Sequence, residues 1–122
     1  MGMDAYIFRA HSKKELESDN FWELVRKSEE SSEVYHGEVR LGEVWYARKF
    51  WDLHNEMSFL RDYECGEFIE LTKDNLEEML TFATHHTDYW EGFKSVPELC
   101  EILYSFDEME ERGYHYYYEA DW

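Results

Sequence analysis

Val44-Trp45-Tyr46-Ala47-Arg48-Lys49-Phe50-Trp51-Asp52-Leu53-His54-Asn55-Glu56-Met57 carries the clearest helical period in the chain. Tyr46, Phe50, Leu53, Met57 and, just beyond it, Leu60 recur at three- and four-residue steps, the period of an amphipathic helix. The spacing predicts one helix from about Glu43 to Leu60. Arg48, Trp51, His54 and Asn55 would share a face beside that stripe, with Lys49 next to them. A guanidinium, an indole, an imidazole and an amide on one face make a candidate site for a small anion such as a nucleotide phosphate, with Trp51 stacked on the base. Arg48 and Lys49 also have the offsets to pair with Asp52 on the same helix. Such surface pairs are common and weak, so pairing is the stronger expectation.

On the N-terminal side, Ala5-Tyr6-Ile7-Phe8-Arg9 reads as a strand and His11 to Lys14 as a polar turn. Asp19 or Asn20 can cap a helix through Phe21, Trp22, Leu24 and Val25 that ends near Lys27. Residues 28–33 lack an apolar period and read as a loop. Val34 to Leu41 reads as a loop or weak strand, because Gly37 and Gly42 punctuate it.

On the C-terminal side, Asp62 to Gly66 is a connection and Glu67 to Leu71 alternates as a strand. Thr72 can cap a helix carrying Leu76, Met79, Leu80 and Ala83 on one face. Thr84 to Lys94 reads as a ring-rich loop. Ser95-Val96-Pro97-Glu98 has the pattern of a capping box with proline in the first turn. The helix it opens carries Leu99, Ile102, Leu103, Phe106 and Met109, and Gly113 can stop it. Tyr114 to Glu119 is a strand by residue type. The expected architecture is α+β: one domain over residues 1–122, with a small antiparallel sheet of about three strands and three to four helices packed on one face.

The chain has 122 residues and a formal charge of −17. Residues 1–61 hold 12 acids against 9 Lys and Arg, and residues 62–122 hold 17 acids against 3. The C-terminal half is therefore expected to be anionic. Such a surface repels nucleic acid and acidic lipid and attracts basic partners. A DNA duplex carries one charge per about 1.7 Å, so about 20 across a domain roughly 35 Å wide. The excess of 17 negatives is of the same order, although acidity also serves solubility alone. The 23 aromatic residues argue against disorder. There is no apolar run of about 18 residues, and the first residues have neither the basic nor the apolar region of a secretion signal. Cys65 and Cys100 lie in no CxxC pair and are expected as free thiols in a reducing cytoplasm.

Three blocks resemble a family of small, uncharacterised phage and gut-bacterial proteins. They are Tyr46-Ala47-Arg48-Lys49 through Leu53-His54-Asn55-Glu56-Met57; Cys65-Gly66-Glu67-Phe68 with Leu71-Thr72 and Leu76; and Gly113-Tyr114-His115-Tyr116-Tyr117-Tyr118 with the final Trp122. Members of that family have a Y-x-R-K helix followed by L/I-H-x-W/F, a C-G block and an aromatic strand ending in a serine pair and Trp. Here Met57 stands near the family's second ring, and Ala120-Asp121 replace the serine pair. The resemblance covers about the last two-thirds of the chain and brings no activity with it. It implies a phage or mobile-element setting and treats Arg48, Lys49, His54 and Asn55 as a unit.

No catalytic motif is present: the chain lacks a Gly-x-Ser-x-Gly elbow, a P-loop and GxGxxG. His85, His86 and Asp88 lack metal-ligand spacing, so neither metal nor cofactor is expected. Asp107, Glu108, Glu110 and Glu111 read as a solvated face at the end of a helix, where acids oppose the dipole. The expectation for function is a small acidic inhibitor acting in the host cytoplasm. It would bind a basic, nucleic-acid-binding host defence protein, and itself bind neither nucleic acid nor membrane. Glu101, Asp107, Glu108, Glu110 and Glu111 would make the contact, with Tyr89 and Trp90 as anchors. The alternative is a sponge or enzyme for a signalling nucleotide, built on Arg48, Lys49, Trp51, His54 and Asn55 with the 89–93 loop as lid.

Overall fold

A computed structural model describes residues 2–18, 20, 21, 23 and 41–122. Four strands, β1 (Asp4–Ala10), β2 (Gly42–Arg48), β3 (Ile69–Glu70) and β4 (His115–Asp121), form one antiparallel sheet in the order β2-β1-β4-β3. The described helices are α1 (Lys13–Leu16), α2 (Trp51–Glu56), α3 (Lys73–Thr84) and α4 (Trp90–Glu111), with a 3-10 turn at Ser58–Leu60. The class is α+β as expected, with a fourth strand where three were expected.

That strand is the main correction. Glu43 to Arg48 is β2 and not the start of a helix. Two periods overlap here and share Tyr46. Val44, Trp45 and Tyr46 are strand-forming residue types, and alternation buries Trp45 and Ala47 while leaving Arg48 outside; a register shift that skips Val44 turns Glu43 outward as well. The ladder with β1 decides between the periods, pairing Tyr46 with Tyr6 and Ala47 with Ala5. The helical stripe survives only beyond the break: Phe50, Leu53, Met57 and Leu60 are all buried. The break itself is Lys49, at φ 58°, whose N–H donates to the Met3 carbonyl at 2.6 Å.

A lysine in the left-handed region is strained, so Lys49→Gly should leave stability unchanged or raise it by up to about 1 kcal/mol in a urea melt. Inside a continuous helix the same change would cost about 1 kcal/mol. A loss of that size would contradict the turn.

The sheet is covered on both sides, and the helices are not confined to one face. Ala5, Ile7, Trp45, Ala47, Tyr116, Tyr118 and Ala120 share the main core with Leu53, Leu76, Met79, Leu99, Ile102 and Phe106. Phe8, Ala10 and Tyr117 point the other way and meet Leu16 of α1, Phe21 and Phe68. Burial on both faces explains why Tyr116 to Ala120 are consecutively buried.

Ser12 accepts from the Glu15 N–H and turns the expected polar turn into one turn of helix. Thr72 and Asn75 cap α3 reciprocally, side chain to backbone N–H in each direction. Of the expected 67–71 strand, only Ile69 and Glu70 join the ladder. The expected helix through Phe21 to Lys27, the loop at 28–33 and the segment at 34–41 fall largely outside the described residues. No described helix is long and apolar enough to cross a membrane.

A candidate interaction face on the last helix

The helix α4 begins at Trp90, with Tyr89 at its N-cap, six residues before the Ser95 cap read from the sequence. Ser95 is no cap. It is fully buried, accepts the Trp45 indole N–H at 2.8 Å and donates to the Glu91 carbonyl at 2.6 Å. Pro97 thus lies inside the helix, where its missing N–H leaves the Phe93 carbonyl without its usual donor. At the other end Gly113, at φ +89°, closes a Schellman motif: its N–H donates to the Glu110 carbonyl and the Tyr114 N–H to Met109.

Gly92, Ser95, Leu99, Ile102, Phe106 and Met109 form the buried side of α4. Trp90, Phe93, Pro97, Cys100 and Tyr104 are all exposed. At about 100° per residue these five fall within about 80° of one another, diametrically opposite the buried side. Tyr104 is 96% exposed, Trp90 68% and Phe93 59%, so these rings are not core residues. Trp90 and Phe93 stack at 6.0 Å between centroids. With Thr87, Lys94, Val96, Pro97 and Glu98 they line an open groove of about 730 Å³. An apolar stripe on each side of one helix is more than a surface helix needs, and exposed stripes of this kind mark contact sites.

The acids expected to bind a partner lie on the same helix. Glu101, Asp107, Glu108, Glu110 and Glu111 are all exposed. From Thr72 to Arg112 there are 11 acids and 3 Lys or Arg. Lys73 is paired with Asp107 at 2.9 Å and Lys94 with Glu91 at 3.3 Å. Tyr89 and Trp90 stand at the opposite end of α4 from the terminal acids, with the stripe running between them. Read from the sequence, Phe93 falls only in the 89–93 lid, and Pro97, Cys100 and Tyr104 are not singled out. Their 3-4-3-4 spacing from Trp90 was legible, but assigning residues 84–94 to a loop cut the pattern in two.

Of the other candidate residues, Trp51 and His54 meet with their ring centroids 6.1 Å apart, while Arg48 and Lys49 are exposed ahead of the helix. Arg48 ends β2, and its backbone N–H donates to Glu91 at 3.2 Å. Lys49 sits in the turn, and Asn55 is exposed on α2. His54 is buried, its Nδ1 hydrogen-bonded to the Tyr118 hydroxyl at 2.7 Å, with Trp51, Tyr63 and Trp122 edge-on to its ring. Burial pushes its pKa down and that of Tyr118 up, so both are neutral structural groups. The 89–93 segment is the cap and first turn of α4 rather than a lid loop. His85 is the C-cap of α3 and His86 follows it, and no described cluster of His, Cys, Asp or Glu could hold a metal.

A further polar cluster lies on the sheet. Asp4 pairs with Asp121 across the β1–β4 ladder, and Glu119 pairs with Tyr6. Tyr46 donates to Asp4 at 2.6 Å, which with burial pushes its hydroxyl up to about 12. Burial, a hydrogen bond with Asp121 and the charges of Asp121 and Asp4 raise Glu119 to about 8. The native state therefore keeps a proton that the unfolded chain has already lost. Stability from Glu119 is complete below its ordinary pKa of 4.5 and declines as pH rises through about 8. His54 has the opposite sign, with stability lost as pH falls below 6.5. Chemical melts should show wild type losing about 1–2 kcal/mol between about pH 6.5 and 9, with Glu119→Gln flattening that decline. An unchanged slope in Glu119→Gln would contradict the assignment.

No protein-family model matches the chain, no curated protein matches it in sequence, and no solved structure matches it in fold.

Proposed function

We propose that this is a small acidic interaction protein that captures a basic partner through the outer side of α4. In the phage or mobile-element setting implied by the family resemblance, the partner is a nucleic-acid-binding host defence protein, and capture inhibits it by occupying its basic groove. One observation supports this reading above the others. Glu101, Asp107, Glu108, Glu110 and Glu111 are exposed on the helix that also exposes Trp90, Phe93 and Tyr104. Acids give orientation and on-rate, and rings in the same patch give the anchors that hold a complex together.

The test is capture from host lysate by the immobilised protein at low and high salt, beside a Glu101→Lys/Glu108→Lys/Glu111→Lys variant. The wild type should retain a basic nucleic-acid-binding protein that high salt or added DNA duplex releases, and the variant should not. Lysine suits positions 108 and 111 at the C-terminal end of the helix better than glutamate, and Glu101 is exposed at mid-helix, so the variant should melt with the wild type and its loss cannot be ascribed to unfolding. Capture that is flat in salt and indifferent to charge reversal would refute the reading.

A further inference from the structure

We infer that the exposed stripe of α4 is a docking seam for a single amphipathic helix of the partner, one that is basic along one flank and at one end. This rests on the interaction reading above and specifies what sits on the surface.

The seam positions Trp90, Phe93, Pro97, Cys100 and Tyr104 alternate steps of three and four, the a/d spacing by which one helix packs along another. They span about 21 Å at 1.5 Å per residue, four turns of a partner helix. The two flanks of the seam differ. Val96 and Leu103 lie on one side, half-buried and apolar, and widen the seam. On the other lie Glu98, Glu101 and Glu108, with Lys94 already held by Glu91. Beyond Tyr104 the helix face passes into Asp107, Glu108 and Glu111. The complementary ligand is a helix with an apolar stripe, Lys or Arg on the flank facing Glu98, Glu101 and Glu108, and further positive charge opposite the end of α4.

A second copy of the chain fits poorly. Each copy carries a charge of −17, and pairing through this seam would bring the acidic flanks together. Duplex DNA is excluded by the same sign, and no apolar stripe of a duplex could cover the rings.

The probe is a labelled helix-forming peptide of about 18 residues, with Leu at a and d positions, Lys along one flank and further Lys at one end. Its control is a peptide of the same composition with the heptad order shuffled. Fluorescence anisotropy should show the wild type binding the heptad peptide at least about tenfold more tightly than the shuffled one. Phe93→Ala/Tyr104→Ala removes two exposed rings, so circular dichroism and melting should match wild type. This variant should lose the preference and bind both peptides at the shuffled level. Glu101→Lys/Glu108→Lys should weaken both peptides.

Equal binding of the two peptides by wild type, or an undiminished preference in Phe93→Ala/Tyr104→Ala, would overturn the seam while leaving charge-driven capture standing. Indifference to Glu101→Lys/Glu108→Lys would overturn the interaction reading itself. A wild-type dimer in sedimentation that Tyr104→Ala dissociates would assign the seam to a second copy and refute the proposal.

Discussion

Gly92→Ala is expected to lower unfolding free energy by about 3 kcal/mol, although alanine is the better helix former by about 1 kcal/mol. A Cβ at Gly92 would stand 2.1 Å from the His86 carbonyl oxygen and 2.8 Å from its carbon. Both are backbone atoms, so no rotamer change relieves the overlap, and the start of α4 must back away from the end of α3. That movement loosens Ser95 and Leu99, the next buried positions along the helix. In urea the midpoint should fall with the slope unchanged, the mark of lost stability rather than an altered unfolded state. The two contributions have opposite signs, so the sign of the result is informative. A Gly92→Ala protein as stable as wild type would mean that α4 does not approach His86 as described.

Trp45→Ala is expected to cost about 3–5 kcal/mol, most of the stability of many small domains. Trp45 is 1% exposed and joins β2 to α4 through its bond to Ser95, 50 residues away. Trp45→Phe keeps much of the volume and should cost less. Ser95→Ala should cost about 1–3 kcal/mol, because the buried indole N–H loses its acceptor. Combining Trp45→Phe with Ser95→Ala should cost less than the sum of the two, since either change alone breaks the bond. Strict additivity would show that the bond does not couple strand to helix. The linkage bears on function too. Trp45 and Gly92 together hold the buried side of α4 on the sheet, and so fix the opposite side, with Phe93 and Tyr104, toward solvent.

Where a segment carried one dominant signal, the sequence could be read directly. The aromatic run of β4, the Thr72 cap and the Leu99-to-Met109 stripe needed no information from elsewhere in the chain. Residues 43–60 carried two signals. A period of 3.6 and a period of 2 share Tyr46, and only pairing with β1, about 40 residues distant, separates them. The start of α4 was obscured by a genuine local pattern. Ser95-Val96-Pro97-Glu98 resembles a cap, but Trp45 takes the Ser95 hydroxyl and Gly92 admits the helix beneath His86, so tertiary contacts extend it backward by six residues. That displacement also hid the exposed stripe. Once Trp90 and Phe93 are helical, their alignment with Pro97, Cys100 and Tyr104 follows from the 3.6-residue turn.

The most direct test of the proposed α4 contact surface is an amide chemical-shift map of the uniformly labelled protein titrated with the basic heptad peptide. Shifts should concentrate at residues 87–111, strongest around Phe93 and Tyr104, with residues 48–55 unmoved. Shifts spread evenly around the molecule, or gathered at Arg48 to Asn55, would contradict that surface.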